Sequence, residues 1–160
     1  MRFPILILIV LLFASCGQHD NSQVWQSRLD SFKKEMDNSY KPGLGEFMSG
    51  IQVHHNKLWF AGLAQNWKLS QFEVDEIKEA LGDIKKYCAD RPEVKSISMI
   101  DPAIDSMDEA IQQKDPMKFK SSFILLTNTC NNCHRATNHE FNVIKTPDTP
   151  PFSNQSFKSE

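Results

Sequence analysis

Apolar residues recur at steps of three and four through most of the chain, the spacing that lines one face of a helix. Trp25, Leu29, Phe32 and Met36 form the first such face and predict a helix over 23–38, interrupted by Lys41-Pro42-Gly43. Leu44, Met48, Ile51, His55, Leu58 and Gly62 predict a second helix over 44–66, with a break at Asn66-Trp67-Lys68-Leu69. Ser70-Gln71-Phe72-Glu73 has the form of a capping box. It is expected to open a helix over 71–89 whose inner face is Val74, Ile77, Leu81, Ile84 and Cys88. Arg91-Pro92 ends that helix, and a loop is expected as far as Asp101-Pro102, read as an N-cap followed by a first-turn proline. Ile100, Ile104, Met107 and Ile111 mark the next helix. Asp115-Pro116 repeats the start signal for a last helix over 116–137, faced by Phe119, Phe123, Leu126, Cys130 and Cys133. The pattern predicts an all-α chain: an antiparallel four-helix bundle with an extra N-terminal helix and a C-terminal tail that contains Pro147, Pro150 and Pro151. The tail reads as an extended segment that covers part of a cofactor, or equally as a disordered end.

The first residues break the periodicity. Phe3 to Ala14 is apolar apart from Pro4 and follows a single charge at Arg2. As a helix this run spans about 18 Å, too short for a bilayer core of about 30 Å, and reads as a secretory signal. It ends in Phe13-Ala14-Ser15-Cys16, which resembles the lipobox of bacterial lipoproteins, although Phe13 stands where that family usually has Leu. The resemblance implies cleavage before Cys16 and lipidation of Cys16. An ordinary signal peptide with an incidental cysteine is the other reading. The expected organisation is a signal peptide at 1–15, a tether at 16–22, a helical domain at 23–140 and the tail at 141–160. The expected location is the periplasmic side of a bacterial membrane or the cell surface, held by lipid.

A net charge of −2 and a pI near 6.2 give no basic footprint for nucleic acid. The four cysteines are more informative: Cys130 and Cys133 stand in Cys-Asn-Asn-Cys-His. Cys-x-x-Cys-His is the attachment pattern of c-type haem. On a helix, residues three apart share a face, so both thiols reach the two vinyl groups of one porphyrin, and His134 can turn under the iron. One covalent haem c is therefore expected, with His134 as axial ligand. A redox disulfide normally sits at a strand-to-helix junction, which nothing here predicts. Structural zinc needs four ligands, and Cys88, His54, His55 and His139 show no zinc spacing. A plain structural disulfide is the third rival.

Four helices with this motif near the end of the last resemble the class II cytochromes c, which include cytochrome c′ and the low-spin c-556 type. The resemblance covers about 44–137 and rests on helix order and motif position. Residues 135–141 after His134 depart from the class. The resemblance implies that Met48, early in the first bundle helix, is the candidate sixth ligand. His55, one face-repeat further on, is the alternative; His54 and His139 are weaker ones. Cys88 reads as a buried thiol, and Trp59, Phe60 and Trp67 as packing residues. With six-coordinate iron the expected function is one-electron transfer between exported redox partners, not enzymatic catalysis. The alternatives are a five-coordinate binder or sensor of NO or CO and, more remotely, a peroxidase-like site using His54 or His55. A homodimer is an open expectation from the same resemblance.

Overall fold

The computed structural model describes residues 21–159, whose regular elements are all helical, with no strand among them. We number the helices α1 (Ser22–Asp37), α2 (Leu44–Leu63), α3 (Trp67–Tyr87), α4 (Asp101–Gln112) and α5 (Pro116–Ala136). A 3-10 helix, Pro92–Ile100, joins α3 to α4. The signal segment and Cys16 lie outside the described residues.

Two compact units divide at Tyr40 and Lys41, inside the stretch expected to be one domain. The first contains α1. Its periodic face is real, but none of its residues is buried, and Trp25, Leu29, Phe32 and Met36 are 60–70% exposed.

In the second unit the periodic faces become the core. Val74, Ile77, Leu81, Ile84 and Cys88 of the α3 segment are all buried, as are Ile100, Ile104, Met107 and Ile111. α2 packs along α3, α3 against α4, α4 along α5, and α5 against α2. The α2–α5 pairing has a readable register. His55 meets Thr127, Trp59 packs against Phe123 at 4.8 Å with the rings tilted, and Gly62 lies under Phe119. Each step toward the end of α2 is matched by a similar step toward the start of α5, so the two helices are antiparallel.

Several helix ends differ from the sequence reading. α3 begins at Trp67, before the expected capping box, because the side chain of Asn66 accepts the Leu69 N–H at 3.2 Å. Ser70 and Glu73 are consequently inside the helix. The Ser70 hydroxyl donates to the Asn66 carbonyl, and Glu73 turns its carboxylate to α2. Asp101 makes no side-chain cap, since the 3-10 helix runs directly into α4. The expected loop there is ordered by Val94, Ile97 and Ile100, spaced at the 3-10 period, where side chains three apart eclipse. Asp115 does cap α5, accepting from the N–H groups of Met117 and Lys118.

Three helices end in the same way without glycine. Gln65, Lys114 and Asn138 take φ of 55°, 53° and 59°, and the residue after each donates back to the carbonyl five residues earlier. This is the Schellman arrangement, which satisfies the last free carbonyls of a helix. At the end of α5 it turns the chain immediately after the Cys-x-x-Cys-His motif.

Candidate cofactor site

A cavity of about 380 Å³ opens between α2, the 3-10 helix, the end of α5 and the start of the tail. Its size falls within the range of small-molecule and cofactor sites, about 300–1,000 Å³. Cys130, Cys133 and His134 line one side; Met48 and His55 line the other. Ile51, Leu81, Ile97 and Ile100 supply the apolar wall. Arg91, Glu93 and His139 add charged and polar groups. His54 and Cys88 are elsewhere. His54 Nδ1 is 2.7 Å from the buried carboxylate of Glu73, and the Cys88 thiol faces the Pro42 carbonyl.

The two cysteines sit on the last turns of α5, half-buried and unpaired. Burial pushes the Cys130 thiol up to about 12 and also raises that of Cys133. A redox-active Cys-x-x-Cys needs the opposite shift, because the thiolate is the nucleophile. Among the described residues, no group of three His, Cys, Asp or Glu side chains is placed to hold a metal ion. A closed zinc site would require four ligands.

His134 is held by the tail. Its Nδ1 lies 2.6 Å from the carbonyl oxygen of Asn142. A carbonyl only accepts, so Nδ1 carries a hydrogen, and in the neutral ring Nε2 keeps the free lone pair. This is the tautomer an iron-binding imidazole needs, with its orientation set by a backbone acceptor. Asn131, inside the motif, fixes that acceptor's segment. Its amide donates to the Ile144 carbonyl and accepts the Ile144 N–H, both at 2.8 Å. Further along, Phe157 packs on Phe60, and Lys57 lies over the ring of Phe152. The tail is therefore an ordered strap against α2 and α5, and Asn142 and Ile144 form part of the cavity wall.

On the opposite side, His55 is 4% exposed. Its Nε2 is 2.9 Å from the Thr127 hydroxyl, which itself donates to the Phe123 carbonyl. The single hydroxyl hydrogen is thus committed, so His55 donates through Nε2 and its Nδ1 lone pair is left without a hydrogen. Burial lowers the His55 pKa to about 4, which keeps the ring neutral at ordinary pH. Met48 lies two turns before His55. The α2–α5 register, continued over those turns, sets Met48 level with His134.

Thr127, Asn142, Ile144 and the 3-10 wall were missed in the sequence reading. Thr127 had one available signal, its place three residues before Cys130. The spacing of Val94, Ile97 and Ile100 was another. Nothing in the residue types marks Asn142, which acts through its backbone. Arg91 also reaches the cavity, but Glu93 engages it in a two-bond fork at 2.7 and 3.2 Å.

No protein-family model, curated protein or solved structure matches this chain.

Proposed function

We propose that this chain is an exported monohaem c-type cytochrome that carries one electron between redox partner proteins. Helices α2 to α5 would form its antiparallel four-helix bundle, similar to that of the class II cytochromes c. The observation that carries the reading is the state of His134. Its Nδ1–H is donated to Asn142, its Nε2 is left to bind, and it shares one cavity with both motif cysteines.

The residues fit haem c. Cys130 and Cys133 would hold it through thioethers, and once alkylated neither sulfur would titrate. His134 would bind its iron, and Met48 would be the preferred second protein ligand. The apolar wall of Ile51, Leu81, Ile97 and Ile100 would exclude water from the porphyrin face. When bound, the haem iron supplies a reversible one-electron couple whose potential depends on ligand, burial and hydrogen bonding. Lipid on Cys16 would hold the protein on the periplasmic side of a bacterial membrane or at the cell surface.

If Met48 leaves the iron free, the apolar stretch of wall at Ile51, Leu81, Ile97 and Ile100 suits an uncharged diatomic such as NO or CO. Burial keeps the His55 ring neutral beside that wall.

The deciding measurement is the visible spectrum of the protein, oxidised and reduced, after export from a host that matures c-type haem. Haem that survives denaturation and acid–acetone extraction, and is lost in Cys130→Ala with Cys133→Ala, is the expected result. Absence of a haem band would overturn the reading and return the motif to a disulfide or a metal site. A low-spin spectrum supports electron transfer; a high-spin one that shifts with NO or CO supports gas binding.

A further inference from the structure

Among the described residues, α1 stands out for an apolar face that is exposed along its length. Trp25, Leu29, Phe32 and Met36 fall within a narrow stripe, and each is at least 60% exposed. Burying a large apolar side chain is worth about 1.5–3 kcal/mol, so such a stripe is a binding surface waiting for an apolar partner. Three features of the chain say which partner.

The first is position. Ser22 opens α1 only six residues after Cys16. At about 3.3–3.6 Å per residue, that segment reaches at most about 20 Å even when fully extended. A helix so close to acyl chains cannot leave the vicinity of the lipid surface.

The second is the placement of charge. Arg28 and Lys33 border the stripe on opposite sides, while Asp30, Lys34 and Asp37 lie on the far face of the helix. Glu35 shares the Arg28 side. The helix carries as many acidic as basic residues, so overall attraction to an anionic surface is not the argument. Long basic side chains beside an apolar face can extend to headgroup phosphates while their stems stay in the apolar layer. Arg28 already leans over Trp25, 5.4 Å from the ring centroid, and Trp is a residue favoured at the membrane interface.

The third is length. The stripe holds four apolar residues over three helical turns. A coiled coil with a second copy needs an apolar repeat sustained over three to four heptads.

We propose that α1 lies in the plane of the membrane, with its Trp25–Met36 face in the headgroup and acyl boundary, as a second lipid contact beside the anchor at Cys16. The proposal rests on the lipid-anchor part of the functional reading and not on the haem.

The test uses the whole mature chain with Cys16→Ser, so that acyl chains do not mask the helix. The probe is a vesicle of phosphatidylethanolamine and phosphatidylglycerol in a three-to-one ratio, about the simplest mimic of an interfacial bilayer. The expected result is co-flotation with the vesicles and quenching of Trp25 by brominated acyl chains, assigned by its loss in Trp25→Ser. Leu29→Glu with Phe32→Glu should weaken vesicle binding at least about tenfold, the loss of only one or two buried side chains' worth of energy, and leave the visible spectrum unchanged. No association with vesicles, or association that the double variant retains, overturns the proposal. Self-association in solution that the same variant abolishes, without vesicle binding, assigns the face to a second copy and also overturns it. The mass of the native membrane-extracted protein reports separately whether Cys16 carries lipid, so failure of the anchor is distinguishable from failure of the helix.

Discussion

The imidazole of His134 donates to the backbone carbonyl of Asn142, eight residues further along the chain and beyond the end of α5. His134 and the tail are therefore one structural unit, closed by the two hydrogen bonds between Asn131 and Ile144. Asn131→Ala removes both bonds without touching either cysteine or the histidine. The tail should loosen, and the Nδ1–H of His134 should lose a fixed acceptor. In the haem-loaded protein that acceptor would make the imidazole a better donor to iron and favour its ferric state. Losing about 1 kcal/mol of this preference raises a one-electron potential by about 40 mV. Spectroelectrochemical titration of the variant should show that upward shift with the haem still attached, and limited proteolysis should cut the tail faster. An unchanged potential would mean that the strap has no hold on the iron.

The close approach of α2 and α5 depends on Gly62. A Cβ at that position would lie 1.9 Å from the Phe119 ring, and Phe119 is itself 1% exposed with no room to withdraw. Gly62→Ala should cost about 1–3 kcal/mol or more of stability through overpacking. Gly82, on the open side of α3, has nothing within 4 Å of the same added atom. Gly82→Ala should therefore stabilise by roughly 0.5–1 kcal/mol, the ordinary gain of replacing glycine within a helix. Urea unfolding of the two variants side by side checks both signs.

His55 predicts a pH dependence. Its pKa is about 4 in the folded chain and 6.5 as a free side chain, with burial as the cause. Above pH 6.5 the ring is neutral in both states and contributes no slope. As pH falls from 6.5 toward 4, the unfolded chain takes up a proton that the folded chain refuses, so stability is lost across that window and levels off below it. The loss is on the order of 3 kcal/mol. His55→Gln can still donate to Thr127 but does not titrate. Unfolding free energies measured at pH 7 and pH 4.5 should fall further in the parent than in the variant. Equal falls would place the acid sensitivity elsewhere.

What the sequence made legible follows from how each feature is encoded. The inward faces of α2 to α5 are written in side-chain period, and Val74 to Ile84 or Ile104 to Ile111 are buried as that period requires. The same period aligns the cysteines with the cavity, because Phe119, Phe123 and Leu126 share their face. The Trp25–Met36 face has an equally good period yet is exposed, since period states which residues share a face and not what covers it. Two start signals competed at α3, and Asn66 captured the Leu69 N–H one turn before Ser70. Glu73, read as a capping residue, instead meets His54 across the α2–α3 interface. The strap was invisible for a simpler reason. Asn142 and Ile144 act through backbone atoms that every residue possesses.

Met48 is the last point on which the functional reading turns. It lies on the α2 face toward the cavity, and the antiparallel register places it level with His134, two turns from the His55–Thr127 contact. Methionine is common core filler, so position alone does not make it a ligand. In the haem-loaded protein the spin state would report the difference directly. If Met48 binds, Met48→Ala should convert a low-spin spectrum to a high-spin one and lower the potential, because a thioether ligand raises it. If His55 binds instead, Met48→Ala should leave the spectrum low-spin, and His55→Gln should be the variant that changes it. If the parent is already high-spin and takes up CO, neither side chain is a ligand. The half-buried Met48 is then a wall of the gas site, and Met48→Ala should change the CO dissociation rate and not the spin state.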